Sequence, residues 1–238
     1  MDKLFDIEGP VIQFLNRIAD LMILNFLVMI CCLPIITAGA AFTAMHYVLL
    51  KIARKEEGYL VKGFFKSFKE NFKQATIIWL AMLAIIAFYA ADFYIFKYSE
   101  VEFSRIFIII FLALAFVFIL TSVYVFPVLA HFENSTKNIL RNAVSIAILD
   151  FPKSILMVVI YILPFVLMYL STYSWVFIFM FGISLPAYAC AMIYSNIFKK
   201  FEPEGAEIVS DYDFSVNTDE ENDDAGEVID EMSEEIDE

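Results

Sequence analysis

The sequence is poor in the residues from which catalytic and metal sites are usually built. It has seven glycines, three cysteines and two histidines in 238 residues. No G-x-x-x-x-G-K-[ST] phosphate loop, G-x-S-x-G nucleophile elbow or dinucleotide fingerprint occurs in it. His46 and His131 lack an HExxH or Cys/His neighbourhood, and Cys31, Cys32 and Cys190 lie in apolar stretches as free thiols. We therefore expect no enzyme, no metal site and no cofactor.

Charge is missing from long stretches of the chain. Residues 106–130 hold no charged side chain, and 45 residues without charge separate Lys153 from Lys199. A helix crosses the bilayer hydrocarbon with about 20 apolar residues, so the second stretch is long enough to cross twice. Its polar and aromatic segment 171–175 suits a turn at the membrane interface.

The apolar stretches predict an all-α fold, a polytopic membrane helix bundle with about five transmembrane helices. We expect the spans near residues 17–38, 74–96, 106–129, 154–173 and 175–196, within a membrane domain covering residues 1–201. A cleaved signal peptide is an alternative for the first span, but the residues before it are mainly acidic, where a signal needs positive charge. Pro34 and Gly39 leave open whether residues 34–50 are partly re-entrant.

The charges of the tail and of the body have opposite sign. Residues 202–238 contain 17 acidic and no basic side chains, whereas residues 1–201 hold 16 basic and 12 acidic ones. A segment with few apolar residues and blocks of like charge is expected to be a disordered cytoplasmic tail. Its role stays open between plain disorder, docking to a partner and shielding of the basic face.

Basic residues are concentrated in alternate connections between the predicted spans. The connections at residues 39–73 and 130–153 and the segment after the last span hold twelve Lys or Arg, against four in the other connections and at the N-terminus. Positively charged loops are retained in the cytoplasm. The pattern predicts a bacterial plasma membrane protein with its N-terminus outside and its C-terminus cytoplasmic.

A patch of lysine and phenylalanine precedes the second span. On a helix, its four rings fall within an arc of about 100° and its four ammonium groups within about 60° beside it. The residues are Phe64, Phe65, Phe68 and Phe72, with Lys62, Lys66, Lys69 and Lys73. This arrangement predicts an interfacial helix, with rings in the acyl boundary and lysines at anionic lipid. Protein docking is an alternative; nucleic acid is not expected, since the patch runs directly into hydrocarbon.

A second amphipathic helix is expected in the other cytoplasmic connection. Apolar residues repeat at helical spacing between 139 and 148, with polar residues opposite. The polar run 134–136 offers a cap at the start, and Pro152 ends the pattern. We predict two cytoplasmic interfacial helices in total.

Four polar residues inside or near the spans are candidates for a functional or a structural role. Asp20 lies three residues after Arg17, which allows a local ion pair on one helix face. Asn25 is expected to hydrogen-bond between helices, and Asp92 to lie near the outer interface, where it is hydrated.

Other features of the spans concern breaks and small faces. Pro164 and Pro186 interrupt the fourth and fifth spans, a pattern found both in transporter sites and in tolerated kinks. Ala84, Ala87 and Ala91 share a face of the second span, which favours close helix contact within or between chains.

The segments LNRIADLMILNFLVMICCLPIITAGA and EEGYLVKGFFKSFKENFKQATIIWL resemble the YesL-like family of bacterial integral membrane proteins. The resemblance is strongest from Pro10 to Leu80 and continues to about Phe201. The residues that carry it are Asn16, Asp20, Asn25, Pro34, Thr37, Gly39, Glu57, Gly58, Phe65, Phe68 and Phe72. The family has no known molecular activity and is commonly encoded beside genes for carbohydrate uptake and polysaccharide breakdown. The long acidic tail departs from the family pattern.

Together these features predict a non-catalytic accessory or scaffold protein of the membrane, and the resemblance implies a link to carbohydrate uptake or utilisation. The expected partners are anionic lipid at the cytoplasmic face and a membrane protein or further copies of the chain. The alternative is a small oligomeric secondary transporter or channel, with Asp20 and the proline-broken spans near the path.

Overall fold

The computed structural model describes residues 10–56, 58–98, 104–132, 134–171 and 173–200, and the regular structure within these ranges is helical. The α-helices are α1 (Pro10–Cys32), α2 (Ala38–Arg54), α3 (Leu60–Tyr98), α4 (Arg105–His131), α5 (Thr136–Leu149), α6 (Phe151–Leu170), α7 (Ser174–Phe181) and α8 (Ser184–Phe198). Five helices are long and apolar enough to cross a membrane. The prediction of an all-α, multi-pass membrane protein is confirmed. The predicted acidic tail lies outside the described residues.

The largest departure from the predicted spans is α2. The first span was expected to reach residue 38, but α1 ends at Cys32 because Pro34 disfavours helical backbone in the residue before it. The chain then makes a short 3-10 turn, Ile35–Thr37, and enters a further helix where a cytoplasmic connection was predicted. The sequence did not predict this helix, because its small and basic residues make it less apolar than the predicted spans.

Helices α1 and α2 form an antiparallel hairpin. A guanidinium nitrogen of Arg17 donates to the carbonyl of Ile52 at 3.4 Å, which joins the open ends of the two helices. At the closed end, the indole of Trp79 donates to the carbonyl of Ile35 at 2.8 Å. The closed end of the hairpin therefore lies beside the middle of α3.

Helix α3 joins the lysine–phenylalanine patch and the second predicted span in one unbroken helix of 39 residues. At about 1.5 Å per residue it measures roughly 58 Å, nearly twice the hydrocarbon thickness of about 30 Å. It contains no proline, and its one glycine, Gly63, lies in the first turn, so nothing in the sequence bends it. The prediction of a separate interfacial helix at this patch is wrong, because the patch forms the first third of α3.

Helix α2 packs closely against α3 because its first turns are built from small residues. A Cβ atom placed on Gly39 would lie 2.5 Å from Cβ of Trp79 and 2.6 Å from the carbonyl oxygen of Ala75. The two helix backbones could not approach as they do with any larger residue at this position. Ala38 and Ala40, on either side of Gly39, are also buried.

The second predicted amphipathic helix is present as α5. It ends at Leu149, and Pro152 lies in the first turn of α6, where its missing N–H costs no helical hydrogen bond. The inward face of α5 is buried against other helices rather than turned to lipid. The buried residues are Ile139, Ala143, Ile146 and Ala147.

The fifth predicted span is broken into α7 and α8, whose axes differ by 53°. Pro186 lies four residues after Gly182, so its ring would clash with that carbonyl in a continuous helix and supplies no hydrogen bond to it. The break falls at residues 182–183, one turn before the proline. By contrast, Pro164 lies inside α6 without ending it.

Burial divides the described helices into two regions. The packed region consists of α2, α5 and α8 with the adjoining parts of α1, α3 and α4, and it contains the buried core. The exposed apolar region consists of residues 83–98 of α3, 105–119 of α4, 159–170 of α6 and α7, where most large apolar side chains are exposed. Such a surface is expected where lipid is the solvent.

Candidate functional site

Asn25 of α1 binds the broken backbone between α7 and α8. Its Oδ1 accepts hydrogen bonds from the N–H groups of Ile183 and Ser184 at 3.0 and 3.1 Å, and its Nδ2 donates to the carbonyl of Phe179 at 2.8 Å. The side chain is fully buried. One asparagine therefore replaces the hydrogen bonds that the helix loses at its break, and it forms the bonds between helices expected of it.

A second polar side chain lies at the same break. The hydroxyl of Ser184 is fully buried and has no hydrogen-bond partner among the described residues. Its backbone N–H is bound by Asn25, so the hydroxyl sits at the point where α7 ends, α8 begins and α1 crosses. A buried hydroxyl without a partner is uncommon, so this break is a candidate functional site.

His46 of α2 lies at the centre of a buried polar cluster. Its Nδ1 is 3.1 Å from the hydroxyl of Tyr194 in α8, and its Nε2 is 3.4 Å from the hydroxyl of Tyr161 in α6. The thiol of Cys190, one turn before Tyr194, points to the carbonyl of Met157 at 3.9 Å. A neutral imidazole has one donor and one acceptor nitrogen, so both tyrosines can be satisfied at once. The cluster ties three helices together.

The groups of this cluster can donate and accept hydrogen bonds. No group of three or more His, Cys, Asp or Glu side chains that could hold a metal ion occurs within the described ranges. Among the described residues, His46 is joined to two tyrosines and to no carboxylate. The arrangement can therefore fix helix positions, and a proton could pass between its hydroxyl and imidazole groups.

Arg17 and Asp20 do not form the ion pair that their spacing allows. The guanidinium of Arg17 donates to the Ile52 carbonyl, and no ion pair joins the two side chains, both of which are described. Asp20 is half-buried on α1. Asp92 is also half-buried, two turns before the end of α3. The structure does not bring either carboxylate to the His46 cluster or to the α7–α8 break through a described hydrogen bond.

All four lysines of the lysine–phenylalanine patch are exposed, whereas only some of its phenylalanine rings are. Lys62, Lys66, Lys69 and Lys73 are exposed, and Lys66 lies 3.8 Å from Glu70.

Phe64 corrects the prediction that all four rings of the patch face lipid, because it is fully buried in the core beside α2. Phe68 is half-buried, while Phe65 and Phe72 are exposed. The rings of Phe64 and Phe68 stack at 6.2 Å. The patch is thus half core and half surface.

The predicted basic connections meet at one end of the helices. Gln74 of α3 donates to the carbonyl of Asn134 at 2.9 Å, which brings the connection before α5 to the patch. Lys153 and Lys200 lie 3.0 and 4.0 Å from one carboxylate oxygen of Asp150, which brings the end of α8 to the start of α6.

Sequence reasoning considered His46 only as a metal ligand and did not single out Tyr161, Tyr194 or Ser184. A signal was available, since a buried tyrosine hydroxyl needs a hydrogen-bond partner and several tyrosines occur inside apolar runs. The sequence could not show which polar side chains pair, because His46 and Tyr194 are 148 residues apart in the chain.

Residues 21–93 match a protein family described as "Protein of unknown function, DUF624". The match covers the second half of α1, α2 and most of α3, including the closed end of the hairpin and the patch. No curated protein and no solved structure matches the chain.

Proposed function

We propose that the protein is a non-catalytic accessory or scaffold component of a membrane assembly linked to carbohydrate uptake. The observation that carries the proposal is a face of small residues in the exposed apolar region. Ala84, Ala87 and Ala91 lie on one side of α3 and are all exposed, so no other described residue covers them. Small residues let helix backbones approach closely, which is the usual basis of helix association in lipid. The link to carbohydrate uptake rests on the YesL-like resemblance, with which a DUF624 match is consistent.

A photo-crosslinking amino acid at position 87 tests this proposal in native membranes. We expect a crosslink to a defined membrane protein, a sugar permease in the proposed setting, which is lost when Ala91 is replaced by Phe. The matched control places the crosslinker at Leu112 on α4, which is exposed in the same region but outside the small face. Recovery of uncrosslinked monomers, or equal crosslinking from positions 87 and 112, would contradict the proposal. A partner unrelated to solute uptake would remove only the carbohydrate link.

The basic end is proposed to face the cytoplasm of a bacterial cell. The support is that the connections at residues 51–73, 130–153 and 199–200, which hold twelve of the sixteen basic residues, meet at one end of the bundle. The exposed lysines of the patch are then placed to bind anionic headgroups at about 1 kcal/mol each. Liposomes containing phosphatidylglycerol should protect Lys62, Lys66, Lys69 and Lys73 from acylation, and neutral liposomes should not.

A second candidate, a small secondary transporter working as an oligomer, is favoured by the α7–α8 break. Half-helices that end inside a membrane protein are common at transport sites. Here Asn25 binds the break, and the hydroxyl of Ser184 has no hydrogen-bond partner in the part of the chain that the structure describes. Reconstituted liposomes would show uptake of labelled mono- or disaccharides that Ser184→Ala reduces. Because Asp20 was predicted near the path, Asp20→Asn is the second variant, and flux unchanged by it removes Asp20 from the mechanism.

A further inference from the structure

We infer that the α1–α2 hairpin enters the bilayer from the basic side and turns back inside it, so that its closed end contacts lipid acyl chains without reaching the opposite face. The lipid-contacting surface is the tip formed by residues 33–36. It follows that the start of α1 lies on the same side as the basic connections.

The first argument is the shared end of α1 and α2. The Arg17–Ile52 hydrogen bond joins a residue predicted outside to one predicted in a cytoplasmic connection. From each of these positions, 16 residues of chain lead to the tip, so this part of the hairpin is about 24 Å tall at ~1.5 Å per residue. That is less than the hydrocarbon thickness of about 30 Å.

The second argument is the depth at which the tip meets α3 and α4. Trp79, which binds the tip, packs on Phe126 with ring centroids 6.1 Å apart. From Trp79 to the end of α3 at Tyr98 is 19 residues, and from Phe126 back to the start of α4 at Arg105 is 21. Both distances correspond to about 30 Å of helix. Helices α3 and α4 thus continue about 30 Å beyond the tip, so the tip does not reach the level of their far ends.

The third argument is that the backbone of the tip is satisfied by protein. The hydroxyl of Thr37 lies 2.6 and 2.8 Å from the carbonyls of Cys31 and Pro34 and can donate its proton to either, and Trp79 donates to that of Ile35. A turn exposed to water needs no such bonds, whereas in hydrocarbon each unpaired carbonyl costs several kcal/mol. The tip therefore carries the hydrogen bonding required of irregular backbone in lipid.

The fourth argument is the apolar surface that surrounds these bonds. Leu33 and Ile35 are 80% and 68% exposed, and Ile36 beside them is also exposed. On α3, Ile77 and Leu80 flank Trp79 and are exposed at the same level. The tip surface is thus continuous with the exposed apolar region, whose expected solvent is lipid.

This arrangement revises the predicted orientation of the N-terminus. With the hairpin re-entrant, Arg17 joins the basic side, and of the basic residues that the structure describes only Lys97 and Arg105 stay on the other. The charge asymmetry becomes steeper than with the N-terminus outside, as the preference for cytoplasmic basic residues requires.

Single cysteines test the hairpin in a full-length chain with Cys31, Cys32 and Cys190 replaced by alanine. In intact spheroplasts, a membrane-impermeant maleimide should label Ser104→Cys, in the connection between α3 and α4. It should label Lys55→Cys and a cysteine in an N-terminal tag only after permeabilisation. Ile36→Cys should not be labelled either in intact or in permeabilised spheroplasts. Labelling of Ile36→Cys from outside would show a full crossing, and an N-terminal tag labelled from outside would show a single crossing; either result overturns the inference.

Depth can be measured independently in proteoliposomes. A bimane fluorophore on Ile36→Cys should be quenched by lipids brominated on the acyl chains, while the same fluorophore on Lys55→Cys should not. An Ile36→Cys signal that is quenched by aqueous iodide and unaffected by brominated lipid places the tip in water and overturns the inference. Replacement of three cysteines is controlled by the labelling of Ser104→Cys, which also reports that the chain has inserted.

Discussion

The packed region and the exposed apolar region are built from similarly apolar sequence, yet only one of them buries its side chains in protein. Helix α4 shows the contrast within a single element, since its large side chains are mostly exposed up to residue 119 and mostly buried from Leu120 onward. Hydropathy reports that a segment avoids water and does not distinguish protein from lipid as its surroundings. What differs is the neighbouring sequence: small residues and hydrogen-bonding side chains are concentrated where helices meet.

The largest effect is expected from removing the asparagine that binds the α7–α8 break. Asn25→Leu removes the partner of two N–H groups and one carbonyl, of which the Ser184 N–H bond is buried and the other two are partly buried. At about 1–3 kcal/mol for each group left without a partner, a loss of about 3 kcal/mol or more is expected. Thermal unfolding in lipid nanodiscs, followed by tryptophan fluorescence, measures it. Asn196→Leu is the control, because this exposed amide binds only Met192 within its own helix. Equal melting temperatures for the two variants would show that the break needs no cap.

The next largest effect is expected from one substitution, Leu to Ala, made once in the packed region and once in the exposed apolar region. Leu49→Ala in α2 empties a fully buried site and should cost about 2–5 kcal/mol. Leu112→Ala in α4, where the side chain is 60% exposed, should change the free energy of unfolding by less than about 0.5 kcal/mol. Both are read from urea unfolding in mixed micelles. A comparable loss for Leu112→Ala would mean that the exposed region is covered by protein and not by lipid.

A smaller loss is expected where α2 meets α3. Gly39→Ala places a methyl group against Trp79 and the Ala75 backbone, and such overpacking costs about 1–3 kcal/mol. Gly58→Ala serves as the control, since nothing lies within 4 Å of the added atom. The two melting temperatures should differ in nanodiscs, with Gly39→Ala lower. If they coincide, the close approach of α2 and α3 is not needed for stability.

The smallest effect is expected in the His46 cluster. Tyr194→Phe removes a hydroxyl 3.1 Å from the imidazole and should cost about 1–2 kcal/mol, with Tyr161→Phe below it because its contact is longer, 3.4 Å. A double-mutant cycle with His46→Phe measures the coupling through the melting temperature. Additive losses would show that the imidazole does not join the two tyrosines, and a reversed order would contradict the distances.

Apolar runs were sufficient to predict most of the lipid-facing helices. The bounds of α4 and α6 lie within a few residues of the predicted spans, since a charge-free run and its flanking polar residues mark both ends. Helix α2 was not predicted because Gly39, His46 and two basic residues near its end made it look like a connection. The break at residues 182–183 was signalled by Pro186, but its position one turn earlier and its binding by Asn25 were not.

The sequence by itself determined that the chain is helical, which segments avoid water and where basic side chains are concentrated. These properties depend on runs and on spacing within a turn or two, which local composition contains. Only the tertiary structure decided that Phe64 faces protein, that α2 lies in the core, and that Asn25 binds a helix 154 residues away. The physical reason is that a buried polar group is stabilised by a partner in space, and spatial neighbours far apart in the chain leave no periodic trace in it.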